Sequence, residues 1–173
     1  MEVSISIVVQ MYNLDEGKYV MINPDYIVGL TEGEGCFLVS LRKDNRIDLR
    51  FFIAQAIGNK PLLGKIQKFF GIGAVYQKSN VAGKLPAYVF EVTKRDDIYN
   101  VIIPFFKKHE LEGTKAISFS VFEEISKIVK GRQDKRKLSS KELTYITNLK
   151  SGMNKHYGSP GAVKSARRGG NAK

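Results

Sequence analysis

The stretch CFLVSLRKDNRIDLRFFIAQ, residues 36–55, constrains the fold more than any other part of the chain. Phe37, Val39 and Leu41 share one parity, and beyond the turn residues KDNR so do Ile47, Leu49, Phe51 and Ile53. Period-two alternation on both sides of a polar turn predicts a β-hairpin with one buried face. The opposite parity holds Ser40, Arg42, Arg46, Asp48 and Arg50, a polar and largely cationic set. Downstream, NKPLLGKIQKFFG places Leu62, Leu63, Ile66, Phe69 and Phe70 at helical spacing and predicts a helix capped near Gly71. IGAVYQK and PAYVFEVT read as a second hairpin joined by SNVAGKL. DDIYNVIIPFF, TKAISFSVFEEISKIV and KELTYITNLKSGMN read as three further helices, the last capped by Ser139 or Ser140.

Ahead of the first hairpin, INPDYIVGLTEGEG offers Asn23 as an N-cap and Pro24 at the first helical position, where its missing N–H is harmless. A helix over 24–34 follows, and the element order becomes αββαββα with added helices. The end of that helix is anomalous. Glu32 and Glu34 lie where unpaired carbonyls collect partial negative charge, a placement unfavourable by about 0.3–1 kcal/mol for each carboxylate. A divalent cation would explain it, because carboxylates and free carbonyls are the hard oxygen ligands of Mg²⁺ and Ca²⁺. Gly29 and Gly33, four residues apart, leave one helical face bare. Such a face admits either another helix at close range or the chain's own sheet.

The chain of 173 residues is long enough for one compact domain with a core, and its 43% hydrophobic content is that of a globular protein. A formal net charge of +11 points to a polyanion, nucleic acid or an anionic membrane surface. The single cysteine, Cys36, excludes an intramolecular disulfide and a CxxC zinc site. The apolar run VSISIVVQM is too short to span a bilayer and lacks a basic leader, so no membrane partner is expected. GIGAVY does not complete GxGxxG and no GxxxxGK[ST] is present, which removes nucleotide-binding readings.

YIVGLTEGEGCF resembles the LAGLIDADG signature of homing endonucleases, with Ile27 to Gly35 standing in the motif positions. Gly29, Leu30 and Gly35 match outright, Glu32 and Glu34 keep the acidic character, and Val28, Thr31 and Gly33 depart. FFIAQ, VFEVTKRDDIYNVIIPFF, ELEGTKAISFSVFEEI and LTYITNLKSGMN are similar to later segments of the same family, so the resemblance covers roughly residues 22–155. It implies an α+β homing-endonuclease fold in which helices back an antiparallel, saddle-shaped DNA-binding sheet.

The resemblance further implies two such helices packed side by side, with Glu34 delivered to the scissile phosphates, the Gly33 carbonyl as a further metal ligand and Glu32 in a structural role. Since the sequence shows one motif, a homodimer is expected, pairing copies through Ile27, Gly29, Leu30 and Gly33 and acting on a pseudo-palindromic double-stranded DNA site. The implied reaction is hydrolysis of phosphodiesters with Mg²⁺, for which Ca²⁺ or Mn²⁺ would substitute. Gln55, polar on core-facing parity, matches a family active-site position, with Ala54 where the family has Thr. Lys115 in EGTK is the candidate for the family's lysine, with Lys60, Lys94 and Lys107 as rivals, while His109 and His156 are expected on the surface.

Ser40, Arg42, Arg46, Asp48, Arg50, Tyr76, Lys78 and Tyr88 are the candidate DNA contacts, since a two-stranded ribbon fits the major groove and Arg pairs bidentately with guanine. Residues 1–20 are expected to be an extension, 21–157 the endonuclease domain and 158–173 a flexible basic tail. Two alternative functions remain at this stage: an RNA-binding maturase acting on intron RNA, and a DNA-binding protein without cleavage. Organellar localisation is a family-based expectation only.

Overall fold

The computed structural model describes residues 22–78, 86–130 and 138–155. The expected extension, the basic tail, the SNVAGKL loop and His156 lie outside these residues. Helix α1, Pro24–Glu34, begins as its sequence dictates: the Asn23 side-chain oxygen accepts from the Asp25 N–H at 2.8 Å. Strands β1, Gly35–Leu41, and β2, Ile47–Ala56, form the first hairpin, whose tight turn is closed by Asn45 at φ 61°. A short 3₁₀ turn leads into α2, Lys60–Phe70, which ends as expected on Gly71 in the left-handed region (φ 67°), with its N–H bonded to Gln67 O. Strands β3, Ala74–Gln77, and β4, Ala87–Val92, complete one antiparallel sheet of order β1-β2-β4-β3.

After β4 the chain runs through α3, Arg95–Asp97, a widened turn, Ile98–Ile102, and α4, Ile103–Lys108. The widening precedes Pro104, which lacks the N–H that would bond the carbonyl one turn back. Helix α5, Thr114–Lys130, and helix α6, Ser140–Lys155, finish the described chain. Ser139 caps α6: its hydroxyl and N–H bond the Glu142 carboxylate, and the Glu142 N–H returns to the hydroxyl at 3.3 Å. No helix among the described residues is long and apolar enough to cross a membrane.

The helices cover one face of the sheet, and the alternation of β1 and β2 decides which. Phe37, Val39, Leu49, Phe51 and Ile53 are buried there with Phe90 and Val92 of β4. Phe37 packs against Phe51, Phe106 and Phe122 with ring centroids 5.1, 5.2 and 5.4 Å apart. Leu41, of the same parity, is exposed at the end of β1 beside the turn.

Candidate active site and nucleic-acid interface

Helix α1 passes into β1 with no intervening loop. Gly35 is extended (φ −79°, ψ 158°) and its N–H bonds Thr31 O. A Cβ at Gly35 would lie 2.5 Å from Thr31 Cγ2 and 2.8 Å from the Thr31 backbone, so close approach, not an unusual φ, demands glycine. This crossing leaves Glu34 exposed at the helix end. Thr31 is fully buried, and its hydroxyl has no hydrogen-bond partner.

The two glutamates of the helix end have different surroundings. Glu32 Oε1 accepts from the backbone N–H groups of Glu112 at 2.7 Å and Gly113 at 2.9 Å, immediately ahead of α5. Its carboxylate thus leaves the negative end of α1 to meet the positive start of α5, which removes the electrostatic objection to an acid at this position. A metal is not needed to explain Glu32. For Glu34, no comparable backbone partner is present among the described residues.

The same latch brings the Gly113–Lys115 segment alongside the last turn of α1. Lys115 is buried, with 7% of its surface exposed, an unusual place for a lysine. At the start of β1, burial pushes the Cys36 thiol up, while the charges of Lys115 and Arg50 oppose that rise. Gln55 comes to the same end by register. The β1–β2 ladder begins at Gly35↔Ile53, so the next residues of β2 run on beside the end of α1. Gln55 is half-buried, its Oε1 accepting from Asn59 Nδ2 at 2.8 Å. Glu34, Gln55 and Lys115 therefore share one end of the sheet. Of the rival lysines, Lys94 pairs with Asp97 at 3.7 Å and Lys107 with Glu123 at 3.4 Å, while Lys60 lies over the Tyr88 ring.

Two sequence expectations require correction. Tyr88 is not on the open face of the sheet. Strand β4 turns Phe90 and Val92 into the core, and Tyr88 shares their parity opposite Gln55, packed against the core with the Lys60 ammonium 5.1 Å from its ring centroid. Ile27 is not available to a second copy: it is completely buried against the sheet. Leu30 is partly packed on the same core. The open stripe of α1 is instead Tyr26, Gly29 and Gly33, and an added Cβ at either glycine would meet nothing within 4 Å.

The open face of the sheet carries Ser40 opposite Asp48, then Arg50, Tyr76 and Lys78, with Arg42 and Arg46 at the turn. It is less uniformly cationic than expected. Arg46 pairs with Asp44 at 3.2 Å, Arg42 lies 3.6 Å from Asp44 and 3.9 Å from Asp48, and Arg50 reaches Glu91. Glu91, Thr93 and Arg95 were not singled out from sequence. The β4 alternation contained the signal for Glu91, a charged residue between two core positions. Thr93 and Arg95 join Asp48, Leu49 and Arg50 in a groove of about 420 Å³, with the Arg95 guanidinium donating to Ile47 O at 2.8 Å.

Among the described residues no group of three or more His, Cys, Asp and Glu could hold a metal. One chain offers the Glu34 carboxylate and helix-end carbonyls such as that of Gly33. Such a donor set suits Mg²⁺, which is commonly bound by one or two carboxylates with the remaining positions left to water and substrate phosphates.

The family model described as LAGLIDADG endonuclease matches residues 27–126, more than half of the chain. A relative from Neurospora crassa, named probable intron-encoded endonuclease 2, is 33% identical over 129 residues; these make up 75% of this chain but only 27% of the relative. Among solved structures, the homing endonuclease I-LtrWI bound to target DNA aligns at 30% identity and a TM-score of 0.66, over 79% of this chain and 46% of that one. The homing endonuclease I-TnaI aligns at 25% identity and a TM-score of 0.62, over 78% of this chain and 97% of that one. With a family-wide match across the α1 motif, both hairpins and α5, the chain belongs to the LAGLIDADG endonuclease family.

Proposed function

We propose that the protein is a site-specific, divalent-metal-dependent DNA endonuclease that works with two α1 helices side by side, the second supplied by another copy of the chain. The observation that carries this reading is the open Gly29–Gly33 stripe of α1, ending in an exposed Glu34. Two bare helical faces meeting there would bring two Glu34 carboxylates together at one end of paired sheets. The resulting two-fold symmetry calls for a pseudo-palindromic duplex.

Glu34 and the Gly33 carbonyl would hold Mg²⁺. When bound, the ion supplies charge stabilisation for the attacking and leaving oxygens of phosphodiester hydrolysis. Gln55, with its carbonyl already engaged by Asn59, presents its amide N–H groups to water or phosphate. Lys115, buried beside the same end, adds positive charge where the scissile phosphate would lie. Asp48, Arg50, Tyr76 and Lys78 on the open face contact the duplex, and Ser40, Arg42 and Arg46 extend that contact toward the turn. The relatives' names and the DNA-bound neighbour support duplex DNA as substrate.

The test is incubation with a plasmid library of random duplex inserts, with Mg²⁺ and with EDTA. Metal-dependent double-strand cutting at one recurring, two-fold-related sequence is expected, together with loss of cutting in Glu34→Gln. Tight duplex binding with every plasmid intact would reject cleavage. Preference for structured RNA over duplex DNA would favour the maturase reading.

A further inference from the structure

Glu91 lies in the middle of the open face, on the strand between β2 and β3. Its directly opposed neighbours, Phe52 and Ala74, cannot satisfy a carboxylate. Its partners come along the two diagonals instead. Arg50 on β2 donates through Nη1 to Oε1 at 3.4 Å, and the Tyr76 hydroxyl on β3 donates to Oε2 at 2.7 Å. The Glu91 side chain is only 14% exposed, whereas that of Arg50 is 41% exposed and Tyr76 is 43% exposed. An acid is thus sunk beneath two reaching groups on a surface suited to a polyanion.

The consequences follow from donor and acceptor counts. A guanidinium has five N–H donors in a rigid fork, so engaging one nitrogen at Glu91 leaves an edge free for a planar acceptor pair such as guanine O6 and N7. A phenol whose proton is committed to a carboxylate has only lone pairs left. Tyr76 then faces the duplex as an acceptor, suited to an exocyclic amino group of cytosine or adenine. The bond to Glu91, with burial, pushes the Tyr76 phenol above its usual range, in keeping with a committed proton. The carboxylate also offsets the Arg50 charge locally, which weakens that residue as a phosphate clamp.

We propose that Glu91 is a positioning residue for base reading: it orients Arg50 as a donor fork and Tyr76 as an acceptor, converting a cationic sheet centre into a sequence-selective one. This rests on the reading of the open face as a duplex-binding surface.

The test compares the full chain with Glu91→Gln, Arg50→Gln and Tyr76→Phe by selection from a random-sequence duplex pool. It is paired with the salt dependence of binding to an unselected duplex. In Glu91→Gln, discrimination at the Arg50 and Tyr76 base positions should fall by about tenfold. Binding to unselected duplex should rise several-fold, and its log–log salt slope should steepen by about 0.9 for each copy as Arg50 turns to a phosphate. Arg50→Gln and Tyr76→Phe should each relax one of the same two positions without raising unselected binding. Ultraviolet titration in the absence of DNA should show the Tyr76 transition moving down in Glu91→Gln. Wild-type selectivity and salt slope in Glu91→Gln, with only a lower Tm, would overturn the proposal and leave the nuclease reading intact. If Glu91→Gln does not fold, unchanged selectivity in both other variants overturns the proposal equally. A wild-type chain without duplex selectivity would remove both readings.

Discussion

Glu32, in the last turn of α1, accepts hydrogen bonds from the N–H of Gly113, 81 residues on at 2.9 Å, and from that of Glu112. The contact ties the motif helix to the segment that carries Lys115. Charge-assisted bonds of this kind are worth about 1.5–3 kcal/mol each at full strength, and partial exposure reduces that. Glu32→Ala should therefore lower unfolding stability by about 1–2 kcal/mol in urea titration. Cutting should fall as well, because the Lys115 segment loses its tether. Stability equal to wild type would show that the latch does not hold in solution.

Glu34 is exposed at the carbonyl end of α1 and has no comparable tie. Its removal should help the fold and harm the reaction. Glu34→Gln is expected to gain about 0.3–1 kcal/mol of stability at low salt while abolishing metal-dependent cutting. Differential scanning calorimetry beside a plasmid assay checks both signs. A destabilised variant would mean that Glu34 supports the structure.

Gly29 has open space where a side chain would be. Gly29→Ala should stabilise the isolated chain by up to about 1 kcal/mol through helix propensity. If copies pair through this stripe, the same methyl group forces their backbones apart. Sedimentation should then show weaker self-association on DNA despite the higher Tm. Unchanged association would direct the interface elsewhere.

Thr31 buries a hydroxyl without a hydrogen-bond partner. Valine has the same shape and no polar group to desolvate, so Thr31→Val should raise stability by about 1 kcal/mol. A loss of stability would reveal that the hydroxyl is bonded in solution.

The helix start at Asn23, the stop at Gly71, a serine cap at 139 or 140 and the inward parity of β1 and β2 were all readable from sequence, and the structure assigns the cap to Ser139. Each rests on hydrogen bonds within one turn or on a residue's parity along its own strand. The family resemblance supplied Glu34 on the motif helix, Gln55 in FFIAQ and Lys115 in EGTK as candidates, and strand register and the Glu32 contact bring these three positions toward one end of the sheet.

Other features needed the assembled sheet. Tyr88 was a candidate for the outward, DNA-facing set, whereas it shares the parity of Phe90 and Val92, which β4 turns into the core where it docks on β2. Ile27 belonged to the motif helix, yet the docking of α1 on the sheet buries it and leaves Gly29 and Gly33 open. The links from Glu32 to Gly113 and from Glu91 to Arg50 and Tyr76 join segments far apart in the chain. Amino-acid order determines local geometry because neighbouring groups are always within reach of one another. Contacts between distant carboxylates and their donors exist only after strand register and helix docking have made them neighbours, and that is a property of the tertiary structure alone.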